Sequence, residues 1–129
     1  MSTKTIIKVC GLTQVDEALA CVELGVQWLG FNCYQGSKRY LPPEAIAAIV
    51  GKLPPAVQTV GVFVNASAKE IEETLQQTGL HIAQLHGDES PGFAHALQAP
   101  WFRAFRVADD LAEEEIRSYG QELFLLDAA

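Results

Sequence analysis

Lys8-Val9-Cys10-Gly11-Leu12-Thr13 closes a short apolar run, turns on a glycine and leads into a helical pattern. The strand period of two puts Lys8 and Cys10 on one face and Val9 on the other. An ammonium beside a thiol favours the thiolate, the form of cysteine that acts as base or nucleophile. From this stretch alone Cys10 has two readings, a reactive group at a strand's C-terminal end or a compact core residue.

The same strand, turn and helix unit recurs along the chain. Apolar, β-rich runs are expected at 5–9, 27–33, 59–64, 82–85, 101–107 and 123–126, with helical patterns between them. The first helix, over 14–24, is expected to bury Val15, Ala18, Leu19 and Val22, with Cys21 beside the core and Thr13 as N-cap. Ser67 with Glu70 forms a capping-box pattern, and Ser90-Pro91 and Pro42-Pro43 open two further helices. Gly25, Gly51, Gly79 and Gly120 follow helical segments, where a left-handed residue is easiest for glycine. Such alternation implies an α/β fold of parallel strands joined by right-handed crossovers. An open doubly wound sheet and a closed (βα)8 barrel both use this pattern. The length of 129 residues favours the open sheet, since a barrel normally needs at least about 200 residues. The polar residues favour the barrel: Cys10, Asn65, His86 and Asp127 end different strands, and in a barrel those ends converge on one mouth.

Composition bounds the function. The chain is one domain over 1–129, and 49% hydrophobic content supports a core. A net charge of −7 argues against nucleic acid or an anionic membrane as partner, so an anionic ligand must be met by local cations. Cys10, Cys21 and Cys33 are odd in number and lack CxxC or zinc-type spacing, which fits a reducing compartment and no metal. Lys4 and Lys8 flank too short an apolar segment for a signal peptide, and no spanning run is present; a cytoplasmic protein is expected.

Several residues are candidates for chemistry, each with a plainer alternative. Arg39, in the loop Gln35-Gly36-Ser37-Lys38-Arg39-Tyr40, suits a carboxylate or phosphate, or is an ordinary solvated turn residue. Asn65 holds a turn or a ligand. Gln84 and His86 share one face of the fourth strand, and His86 serves as acid, base or donor, or is held by a backbone carbonyl. Cys33 is read as packing, and His81 and His95 as structural. Arg103 and Arg106 point to opposite faces of the fifth strand, so at most one faces a barrel interior. Asp127 caps a following helix or works as a general acid.

Taken together, Lys8-Val9-Cys10-Gly11-Leu12-Thr13, Gly61-Val62-Phe63-Val64-Asn65, Gln84-Leu85-His86-Gly87 and Leu125-Leu126-Asp127-Ala128 resemble, in order, the signature segments of the phosphoribosylanthranilate isomerases of tryptophan biosynthesis. The resemblance implies a (βα)8 barrel without cofactor or metal. It also implies an Amadori rearrangement of an anionic phosphosugar, N-(5-phosphoribosyl)anthranilate. By that resemblance Cys10 matches the general base acting at ribose C2, and Asp127 the general acid that protonates the ring oxygen. Lys8 supports the thiol and adds a positive field, Arg39 faces the anthranilate carboxylate, and Gln84 and His86 line the substrate. The second loop departs from the family's Ser-Pro-Arg, having Ser37-Lys38-Arg39 instead. The family's chain also runs on past the acid through a glycine-rich phosphate loop and two more βα units. The resemblance therefore implies an incomplete barrel of about six units, weak or inactive alone, whose open edges invite a homodimer or the missing segment. The competing classes are another (βα)8 phosphosugar isomerase or epimerase, in which an acid or lysine would usually stand in place of Cys10, and a noncatalytic α/β module whose cysteines only pack.

Overall fold

The computed structural model describes residues 5–107 and 111–128; Lys4 lies outside them. In chain order the elements are β1 (Lys8–Val9), α1 (Val15–Glu23), β2 (Trp28–Asn32), α2 (Pro43–Val50), β3 (Gln58–Phe63), α3 (Ala68–Thr78), β4 (Ile82–Leu85), α4 (Pro91–Ala96), β5 (Trp101–Val107), α5 (Glu113–Arg117) and β6 (Phe124–Ala128). All neighbouring pairs are parallel, and the six strands lie in the order β1-β2-β3-β4-β5-β6. That order decides between the two architectures. A doubly wound sheet reverses direction partway, whereas here every crossover steps the same way, so the helices collect on one side and the sheet curls as in a barrel wall. Among the described strands the sheet is open, with β1 and β6 as its edges.

The curl is visible in Trp28 on β2 and Phe102 on β5. Three strand spacings of about 4.8 Å separate their backbones, yet the rings meet edge to face with centroids 6.1 Å apart. On the convex side the core between sheet and helices is built from Leu29, Phe31, Phe63, Ala83, Leu85 and Phe105, packed against Ala18, Ile46, Ile71 and Ala94 of the helices.

Local signals were mostly as expected, with corrections. Ser67 Oγ accepts the Glu70 N–H (3.1 Å) and Ser90 Oγ the Phe93 N–H (3.1 Å). The first helix is capped by Gln14 rather than Thr13 and has no side-chain cap bond; the Thr13 N–H is instead met by Glu17 Oε1 at 3.4 Å. Leu19 is 38% exposed, because α1 presents Ala18 to the core and Leu19 falls on its rim. Gly51 is right-handed (φ −62°), so a short turn rather than a left-handed cap ends α2, whereas Gly25, Gly79 and Gly120 have positive φ. The first strand is only two residues long, and the sixth runs on to Ala128.

The C-terminal ends of β3, β4 and β5 are tied by one buried cluster. Arg103, only 7% exposed, donates from Nη1 to Leu85 O (3.0 Å) and Ala104 O (2.8 Å) and from Nη2 to Gly87 O (2.6 Å). Its Nη1 lies 3.6 Å from Glu89 Oε1, and its guanidinium stacks 5.3 Å from Phe105 and 5.4 Å from Tyr119. Glu89 in turn accepts the N–H groups of Asn65 (2.7 Å) and Gly87 (2.8 Å), and the Tyr119 hydroxyl donates to its carbonyl. Removing one member of a buried pair strands the other charge. Arg103→Ala is expected to lower unfolding stability by about 3–5 kcal/mol in urea denaturation; a change within about 0.5 kcal/mol, as for an ordinary surface substitution, would contradict this account.

Candidate functional site

Register decides which side chains share the concave face. Directly paired residues on neighbouring strands point the same way, and alternate residues along a strand do too. Lys8 pairs with Trp28, Gly30 with Val60, Val62 with Gln84, Gln84 with Phe102, and Arg106 with Asp127. Followed through the sheet, Lys8, Cys10, Gly30, Gln84, His86, Arg106 and Asp127 therefore fall on one face, opposite the helices. The polar members gather toward the C-terminal ends of their strands.

Cys10 sits just past β1 and is exposed. The turn that follows is held by two bonds to one carbonyl: the N–H groups of Gly11 (3.0 Å) and Leu12 (3.2 Å) both donate to Gly30 O. Gly11 adopts φ +79°, which suits glycine. The thiol lies over Gly30, where a Cβ would come within 2.8 Å of Cys10 Sγ. Gly30 thus makes the space that Cys10 occupies, a role the sequence reading missed; the signal was a glycine inside an apolar strand, which marks close approach. Arg39 reaches this turn from the second loop. Its Nη1 donates to Gly11 O (3.3 Å), and Ser37 Oγ holds the loop by accepting the Arg39 N–H (3.1 Å) and Asn32 Nδ2–H (3.0 Å).

On the other side, His86 and Asp127 meet. His86 Nε2 lies 3.2 Å from Asp127 Oδ2, across the small Ala104 of the intervening strand. The ring nitrogen is buried and off the line of a formed hydrogen bond. Together with Gln84 Oε1 it is one of three buried side-chain polar atoms without a hydrogen-bond partner among the described residues. Of the two arginines, Arg106 takes the concave face beside Asp127, and Arg103 belongs to the buried cluster. His86, Arg106 and Asn65 border an open cavity of about 360 Å³. A larger one of about 430 Å³ lies instead around Cys33, Tyr40 and Phe63 and contains none of the candidate residues, so the convergence of polar groups, not size, marks the site.

The remaining polar candidates are structural. Asn65, in a left-handed conformation (φ 54°), accepts the Asp88 N–H at Oδ1 (2.7 Å) and so holds a turn. His81 Nδ1 accepts the Thr59 N–H (3.1 Å), and His95 packs edge to face on Trp101. Burial, reinforced by the Glu70 carboxylate, pushes the Cys33 thiol up to about 12, so this cysteine stays protonated and packs. No cluster of three or more His, Cys, Asp or Glu suited to a metal occurs among the described residues, and no described helix is long and apolar enough to cross a membrane.

The family model described as N-(5'phosphoribosyl)anthranilate (PRA) isomerase matches residues 7–129. An N-(5'-phosphoribosyl)anthranilate isomerase of Geobacter metallireducens is 42% identical over 122 residues, which cover 95% of this chain and 60% of that protein. The crystal structure of phosphoribosyl anthranilate isomerase from Thermotoga maritima superposes with a TM-score of 0.93 at 34% identity, covering 98% of this chain and 62% of that one. A phosphoribosyl anthranilate isomerase in complex with reduced 1-(o-carboxyphenylamino)-1-deoxyribulose 5-phosphate superposes with a TM-score of 0.92 at 34% identity, over 98% of this chain and 66% of that one. The chain thus spans about three fifths of the length of the first two of these relatives. Matched over nearly all of its own length, it belongs to the N-(5'-phosphoribosyl)anthranilate isomerase family.

Proposed function

We propose that this chain carries the acid and base of the family's reaction, the Amadori rearrangement of N-(5'-phosphoribosyl)anthranilate to 1-(2-carboxyphenylamino)-1-deoxyribulose 5-phosphate. The observation that carries the reading is the shared concave face: Cys10 stands at the end of the first strand and Asp127 at the end of the sixth, both directed inward by register. A sugar lying across that face would meet a thiol on one side and a carboxyl on the other.

The chemistry assigns each a step. Asp127 gives a proton to the ring oxygen as the C1–O bond breaks, leaving a protonated imine between C1 and the anthranilate nitrogen. That cationic nitrogen acidifies the C2 hydrogen, so the Cys10 thiolate suffices to remove it. The resulting enolamine goes to the C2 ketone as its C2 hydroxyl releases a proton and C1 takes one up, with no net gain or loss of protons. Lys8 on the same face and Arg39 at the Gly11 turn supply positive charge to a substrate carrying both a phosphate and a carboxylate, which the chain's net charge of −7 would otherwise repel. Gln84 and His86 line the floor beside them. The residues require no metal or cofactor for these steps. The exposed apolar side chains of Ile6 and Ile7 at one edge and Leu123, Phe124 and Leu126 at the other favour a covering strand, from the same polypeptide or a second copy.

Cys10→Ala and Asp127→Asn are each expected to reduce kcat by about 10²–10⁴-fold in an assay of product formation, the usual contribution of a positioned acid or base; parent rates in both would overturn the assignment. Gly30→Ala should act on Cys10 alone, because its new methyl displaces the thiol. A loss of about 10²-fold in kcat is expected for a shift near 1 Å, with the fold retained by circular dichroism, and an unchanged kcat would remove Gly30 from the site.

A further inference from the structure

We propose that His86 is the positioning residue of Asp127: its Nε2–H holds Oδ2 and leaves Oδ1 to carry the proton that opens the sugar ring. The inference rests on the reading of Asp127 as general acid and assigns His86 to the carboxyl group in place of the substrate.

Three observations support it. First, His86 Nε2 and Asp127 Oδ2 are 3.2 Å apart, and the ring nitrogen is buried with no other partner. A buried N–H without an acceptor is costly, and a small rotation of the carboxyl group supplies one. Second, the histidine stands on a stiff base while the aspartate does not. The His86 N–H donates to Phe63 O (2.9 Å), and Gly87 is held from both sides by the Glu89 carboxylate and the Arg103 guanidinium (2.8 and 2.6 Å). Asp127 lies on the edge strand β6 with its side chain 45% exposed, so its carboxyl orientation depends on a neighbour. Third, the neighbouring cation is not used. Arg106 is the direct register partner of Asp127, yet among the described residues the close polar contact of the Asp127 carboxyl group is with His86.

The arrangement requires the Nε2–H tautomer of the neutral ring. Turnover of His86→Ala and His86→Gln is to be compared with that of Cys10→Ala and Asp127→Asn in the full chain, alongside long-range ¹⁵N–¹H imidazole spectra at pH 8. His86→Ala is expected to lower kcat by about 10–100-fold, the range for residues that orient a functional ligand, with KM within about twofold. His86→Gln, which keeps an N–H in reach of Oδ2, should recover most of the loss, and that recovery separates positioning from a folding defect. The spectra should show Nε2–H in the parent and a tautomer mixture in Asp127→Ala. A raised KM at unchanged kcat would make His86 a substrate contact and overturn the proposal, as would an Nδ1–H ring or spectra unaltered in Asp127→Ala. Parent rates in Cys10→Ala and Asp127→Asn would instead bring down the acid–base reading itself. The imidazole spectra decide the contact independently of turnover.

Discussion

Arg103 brings a guanidinium into the buried layer at the top of the sheet, and three strand ends are arranged around what it needs. A charge there is tolerable when most of its N–H groups find acceptors and a counter-charge stands near; here Nη1 and Nη2 are served, while Nε has no partner among the described residues. Leu85, Gly87 and Ala104 offer carbonyls, Glu89 offers the carboxylate, and Phe105 with Tyr119 offers ring faces. In meeting these demands the β4 loop loses its freedom. Glu89 turns back to accept from Asn65 and Gly87, and Asn65 takes a left-handed conformation to face Asp88. Any side chain at Gly87 would run into Asn65, since a Cβ there would sit 2.6 Å from its Oδ1. The apparatus lies behind the concave face and touches none of the proposed chemistry, but it sets where His86 starts.

The opposite end of the site is organised by absence of bulk. Gly11 turns the chain with a positive φ, Gly30 leaves room for the thiol, and Arg39 lies across the Gly11 turn. The thiol packs against Gly30 on one side and is otherwise exposed, whereas the backbone at His86 is fixed by hydrogen bonds. The two halves of the candidate site are thus held by different physics, one on the edge strand β1 and the other on the interior strand β4.

Much of this was legible in the sequence because it depends on local rules. The period of two put Lys8 with Cys10 and Gln84 with His86, and the alternation of strand and helix implied parallel pairing. What was not legible depends on three-dimensional register. Nothing in the sequence says that Arg106 rather than Arg103 faces inward, since the alternation gives two faces without naming them; the pairing with Asp127 names them. The contact of His86 with Asp127 spans two strands and depends on Ala104 being small. The misplaced cap at Thr13 is a one-residue shift of the helix start, and Leu19, about 100° around the helix from Ala18, falls at the margin of a stripe that Val15, Ala18, Cys21 and Val22 form. The doubly wound alternative, favoured by length alone, was excluded by strand order, which is a property of the assembled sheet.

The aromatic pair of Trp28 and Phe102 lies near the N-terminal ends of its strands, below the candidate residues on the concave face. With Val60 and Phe102 buried there, the lower half of the bowl is filled. Among the described strands the concave face is thus filled from below, and a ligand lying on it would be met at the upper rim, where Cys10, Arg39 and Asp127 stand.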